Sequence, residues 1–264
     1  LVSTAVLLGA TYLEATFRND QARIDFDGEL LSLEQLQTLW TGKEPALKEL
    51  SVALSAARAL DYQAILFQSG GAVRWEADGK PGFFEISTPR NSLTLFHRQS
   101  MSQKLLGKLQ ATPAATPKWF APLRKSCQFA PLSISAGQYG ASRTSLAIYA
   151  PAWYCCLPGF KLLKFVAVGD TMNDVYQMPA EETFSAVVGS TANSWAKEWS
   201  FVFRGITYVR STSSIAVGGL GGIVYSEALS KDISHTDLVQ NEVFDRIVEQ
   251  LQEKTTTYIK EELS

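Results

Sequence analysis

The chain has 264 residues, 46% of them hydrophobic, with 24 Lys and Arg against 26 Asp and Glu and a formal net charge of −2. That apolar share supplies a substantial core and argues against intrinsic disorder. The balanced charge leaves no basic face for nucleic acid and no charged interaction tail.

In chain order, the opening run Leu-Val-Ser-Thr-Ala-Val-Leu-Leu-Gly-Ala is too short to span a bilayer and has no basic leader. Val2–Leu8 is therefore expected as a first core strand, with any targeting segment lying before Leu1. Thr11–Arg23 is compatible with a helix, and Leu36–Trp40 with a short strand ending at Thr41-Gly42-Lys43. Ala46–Leu60 predicts a helix, because Leu47, Leu50, Leu54, Ala57 and Arg58 follow helical spacing behind Pro45. Ala64–Phe67 reads as a strand before the turn Ser69-Gly70-Gly71. Val73–Ala77 and Phe83–Ser87 read as a strand pair around Asp78–Gly82. Leu93–Leu109 is expected as a second helix.

Pro113, Pro117, Pro122 and Pro131 make 111–131 an irregular connection. Ser142–Cys155 predicts a helix interrupted at Pro151. Lys164–Val168, Phe184–Val188, Phe201–Phe203 and Ile206–Arg210 predict strands. Leu238–Leu263 predicts a long closing helix, with Val239, Val243, Ile247, Leu251 and Tyr258 on one face. Strands alternating with helices predict an α/β fold with a doubly wound parallel sheet. Residues 1–82 and 139–264 would form its core, and the less regular 83–138 a reduced inserted cap.

Three cysteines, Cys127 and the adjacent Cys155 and Cys156, do not make a disulfide framework. They favour a reducing intracellular compartment, the cytoplasm or an organelle reached after loss of a transit peptide. With no Cys-x-x-Cys and only His97 and His235, zinc is not expected. Buried free thiols are the expected state, with a Cys–His nucleophilic pair as the alternative. His97 is expected on a helix or in the cap, and His235 in a surface loop. Trp119, Trp153, Trp195 and Trp199 are expected to pack in the core or cap.

The most informative stretch is Phe165–Asp174, Phe-Val-Ala-Val-Gly-Asp-Thr-Met-Asn-Asp. An apolar run ends in Gly-Asp-x-x-Asn-Asp, which would set two carboxylates on the turn leaving a buried strand. Acidic groups at the carboxyl end of a strand are where an open α/β sheet holds a ligand or metal. Hard oxygen ligands at this spacing suit Mg²⁺. Outside such a context, the same string forms turns with side-chain hydrogen bonds.

Gly169–Asp174 with Val175-Tyr176-Gln177-Met178 resembles the fourth motif of haloacid-dehalogenase-like (HAD-like) phosphatases. Phe184–Ala192 resembles the strand and small-residue turn after it, and Gly218–Leu229 the Gly-rich approach to the family's last helix. The resemblance, over about 164–230, is to the capped branch that includes sucrose-phosphate and other sugar-phosphate phosphatases. It implies an Asp nucleophile forming an aspartyl-phosphate and a second Asp, two residues on, as acid and base. It also implies Mg²⁺ neutralising the phosphoryl group.

Two registers supply the first motif. In one, Asp25-Phe26-Asp27-Gly28 gives Asp25 as nucleophile and metal ligand and Asp27 as acid/base, with Ser69 binding phosphate. In the other, Leu1–Val6 is the first strand and Thr41-Gly42-Lys43 the phosphate motif, with Thr41 the phosphate ligand. Thr4 and Val6 then stand where the carboxylates belong, and the reaction is lost. Under the resemblance Arg143 supplies positive charge to the phosphate, and Asp170 and Asp174 hold Mg²⁺. The expected function is hydrolysis of a small, sugar-like phosphomonoester. The alternative is an inactive HAD-like protein that binds or scaffolds protein partners in a larger assembly. Neither reading involves nucleic acid or a membrane span.

Overall fold

The computed structural model describes residues 1–18, 21–60, 62–77, 79–97, 120–127, 129–138, 144–148, 173–177, 183–190, 198–211 and 220–262. Chain contacts divide it into two units, Leu1–Arg124 with Pro131–Ala150, and Lys125–Ala130 with Pro151–Ser264. No helix among the described residues is long and apolar enough to cross a membrane.

The first unit begins with helix α1 (Val2–Leu7), and its strands are β1 (Tyr12–Phe17), β2 (Gln21–Phe26), β3 (Tyr62–Gln68), β4 (Gly71–Glu76), β5 (Gly82–Glu85), β6 (Asn91–His97), β7 (Ser133–Gln138) and β8 (Thr144–Ile148). They form an eight-stranded sheet in the order β5-β4-β3-β6-β2-β1-β7-β8. Every pairing is antiparallel except β1 with β7. The molecule is thus a mixed α/β structure, but these strands do not build the expected doubly wound parallel sheet. β1–β2 and β3–β4–β5 are consecutive antiparallel neighbours, and such pairs need only short turns rather than helical crossovers.

Several local expectations are overturned. Val2–Leu7 is a helix, not a strand. A short apolar run does not declare its period, and this one ends at Gly9, whose φ of 70° is left-handed. Thr11–Arg23 yields strands, because Leu13, Ala15, Ala22 and Phe26 are buried on a period of two. Leu36 lies in helix α2 (Leu33–Gln37), started by a Ser32–Gln35 capping box. His97 closes strand β6 where a helix was expected. Residues 144–148 form β8, also in place of a helix.

The predicted helix behind Pro45 is α3 (Pro45–Arg58), which buries Leu47, Leu50, Leu54 and Ala57. Helices α2 and α3 pack against β3, β4 and β5. Ile65, Phe67, Val73, Leu93 and Leu95 share a sheet face by register. Leu33 of α2 touches Gly71 on that same face. On the other face Glu14, Asp25, Ser92 and Gln68 form one polar cross-strand row.

Helix α4 (Phe120–Cys127) carries the buried thiol of Cys127 at its end. The second unit contains β9 (Asn173–Gln177), β10 (Ser185–Ser190), β11 (Glu198–Phe203), β12 (Ile206–Ser211), β13 (Leu220–Tyr225) and helix α5 (Glu242–Glu262). The strand order is β12-β11-β13-β10-β9, parallel only between β11 and β13. Leu220–Tyr225 is therefore a strand, where a Gly-rich turn leading into the last helix was expected. Asn241 Oδ1 accepts the Phe244 amide at the start of α5. Phe244, Ile247, Val248 and Leu251 then pack on Phe184, Trp199 and Phe201.

Candidate functional site

Asp25 lies on β2 with its side chain 12% exposed, and Arg23, two residues earlier on the same face, covers it. Arg23 Nε donates to both Asp25 oxygens, at 3.0 and 2.8 Å, and Nη2 donates to Oδ1 at 2.9 Å. This grip raises the Arg23 pKa further, chiefly through the hydrogen bond from the guanidinium. Across the strands Asp25 faces Glu14 on β1 and Ser92 on β6.

Asp27 follows β2 and has different partners. Its Oδ1 accepts the Thr11 amide at 2.8 Å and the Tyr12 amide at 3.0 Å, and Oδ2 accepts the Thr11 hydroxyl at 2.6 Å. Burial pushes the carboxyl up, but these hydrogen bonds outweigh it, and the group sits below its ordinary value of 3.8. A group that must protonate a leaving oxygen near neutral pH needs the opposite shift. Gly28 explains the Asp-Gly pair. Its φ is 98°, and a Cβ there would lie 2.5 Å from Leu8 O. Only glycine lets the chain pass this close, and Glu29 N then donates to Leu8 O at 2.7 Å.

Ser69 is fully buried at the β3–β4 turn. Its Oγ accepts the Leu31 amide at 2.6 Å and donates to Asn91 Oδ1 at 2.6 Å. Asn91 Nδ2 reaches Glu29 O at 3.1 Å and Asp27 O at 3.4 Å. Asp27 and Ser69 are thus joined in one network, yet through the Asp27 carbonyl and not its carboxylate. The network stitches segment 27–31 to two strand ends, with Ser69 Oγ and Asn91 Nδ2 each bonded to backbone and the two side chains joined through Asn91 Oδ1.

The remaining candidates lie elsewhere. Thr41 is exposed beyond α2, and its hydroxyl donates back to Thr38 O at 3.4 Å. Thr4 is buried on α1, its hydroxyl without a partner, and Val6 is on the same helix, so the strand of the second register does not exist. Arg143 and Asp170 lie outside the described residues, as do Cys155, Cys156, Trp119, Trp153 and Trp195. Asn173 and Asp174 open strand β9 of the second unit instead of forming a turn.

The expected Mg²⁺ ligand Asp25 belongs to the first unit, and its carboxylate already has a cation in Arg23. It does not fit the role of an open metal ligand. Among the described residues no group of three His, Cys, Asp or Glu side chains is placed to hold a metal. Burial pushes the Cys127 thiol up to about 11, which disfavours its thiolate at neutral pH. His235 is exposed in a loop, and Trp199 is fully buried, both as expected.

One feature escaped the sequence reading. Trp40, 41% exposed, stacks edge-on against Trp75 at 5.2 Å and against Phe83 at 6.4 Å. The Arg58 guanidinium lies over the Trp75 ring at 4.4 Å from its centroid. The Trp75 indole N–H donates to Gly79 O and holds the β4–β5 turn. The signal was the period-two spacing of Val73 and Trp75 opposite Phe83. The partner Trp40 comes from the turn after α2, where the sequence predicts a strand.

The geometry thus defines a two-unit mixed α/β protein in which Arg23 engages the Asp25 carboxylate and Thr11 and Tyr12 engage that of Asp27. No family model matches the chain, and no curated protein matches it.

Proposed function

We propose that this protein works as a non-catalytic binding or scaffold subunit of a larger assembly, not as a phosphatase acting through Asp25 and Asp27. The observation that carries this reading is the double engagement of those carboxylates. Asp25 is gripped by Arg23, and Asp27 accepts three hydrogen bonds from Thr11 and Tyr12. A nucleophile must be free to attack phosphorus, and an acid/base must exchange its proton within the cycle. Neither group meets its requirement. The aromatic group of exposed Trp40 with half-buried Trp75 and Phe83 suits a contact surface, because Trp and Arg are enriched among the residues that carry the energy of protein interfaces.

The test is phosphate release from a generic aryl phosphate, with and without Mg²⁺, for wild type and Asp25→Asn. The expected result is no Mg²⁺-dependent release from either. Release by wild type that is lost in a folded Asp25→Asn variant would overturn the proposal and restore the HAD-like phosphatase. Assembly is tested by the size of the native complex in gentle extracts. Elution only at the size of a single subunit would count against a scaffold.

A further inference from the structure

We draw no further inference here: the strongest candidate, the aromatic group of exposed Trp40 with half-buried Trp75 and Phe83 beside Arg58 on the first unit, belongs to the surface already described, and nothing in the structure shows what covers it.

Discussion

The two units solve the same problem, closing a sheet against helices, with different chemistry. At its α1–β2–α2 corner the first unit is held by polar side chains acting on backbone: Asp27 on Thr11 and Tyr12, Ser69 on Leu31, Asn91 on Glu29. The second unit is held by a dry layer in which α5 lays Phe244 and Leu251 over Trp199 and Phe201, the Phe201 and Phe244 rings 5.1 Å apart. The contrast bears on function. Polar residues in an acidic motif are ambiguous in sequence, because a carboxylate that caps backbone amides and one that does chemistry have the same letter. Their partners tell them apart.

The largest effect should come from the dry layer. Trp199 is fully buried, and Gly222 lies so close beneath it that a Cβ would fall 2.2 Å from the ring. Trp199→Ala should cost about 3–5 kcal/mol, as truncation of a large core aromatic does. Trp199→Phe should cost less, since it keeps a ring and removes an indole N–H that has no partner. Denaturant unfolding of the full chain measures both. Hydrogen exchange should show the loss of protection in β10, β11, β13 and α5. A loss of about 1 kcal/mol or less for Trp199→Ala would break the contrast, since the second unit would then not depend on its apolar layer.

Next is the polar stitch. Ser69→Ala leaves the buried Leu31 amide and the Asn91 carbonyl each short of a partner, at about 1–3 kcal/mol for orphaned buried groups. Gly28→Ala should cost a similar amount through its left-handed backbone alone, about 1–3 kcal/mol, before the contact with Leu8 O is counted. Both should raise exchange at segment 27–31. Neutral results would mean that the network decorates the corner without holding it.

Part of this was legible in the sequence, and the reason for the rest is physical. α3 could be read because four buried positions, Leu47, Leu50, Leu54 and Ala57, follow one helical stripe behind Pro45. The β3–β4 turn could be read from Ser69-Gly70-Gly71, and β10 to β12 from their apolar runs. Strand direction could not, because the pattern of a strand's own residues reports which of its faces are covered and not the direction of its neighbours. The first helix was hidden for a related reason: six residues of mixed small and apolar type fit either period. At the candidate site, the Asp25-Phe26-Asp27-Gly28 string marked a real structural corner. What the string cannot show is that Thr11 and Arg23, distant or adjacent in sequence, would occupy both carboxylates.

A smaller effect tests Asp27 by pH. Its pKa is lower in the folded chain than its ordinary 3.8, so its contribution to stability is present above that value. It is lost as the pH falls through the folded pKa. The stability difference between wild type and Asp27→Asn should therefore be largest at neutral pH and shrink below about pH 4, near the unfolded carboxylate value. A difference that grows on acidification would mean that the folded state favours the protonated acid, the direction an acid catalyst needs.

The smallest expected effect is the most discriminating. Arg23 is half exposed, so its pair with Asp25 should be worth about 0.2–1 kcal/mol, and less in high salt. Asp25→Asn should therefore destabilise slightly, and a double-mutant cycle with Arg23→Ala should return a coupling of that size. The sign matters more than the size. A carboxylate kept for catalysis is held at a cost to the fold, and neutralising it tends to stabilise the protein. One kept for its partner loses that partner's bonds when neutralised. If Asp25→Asn raises stability in denaturant, Arg23 is not what holds Asp25 there, and the residue returns as a catalytic candidate whatever its contacts in the resting fold.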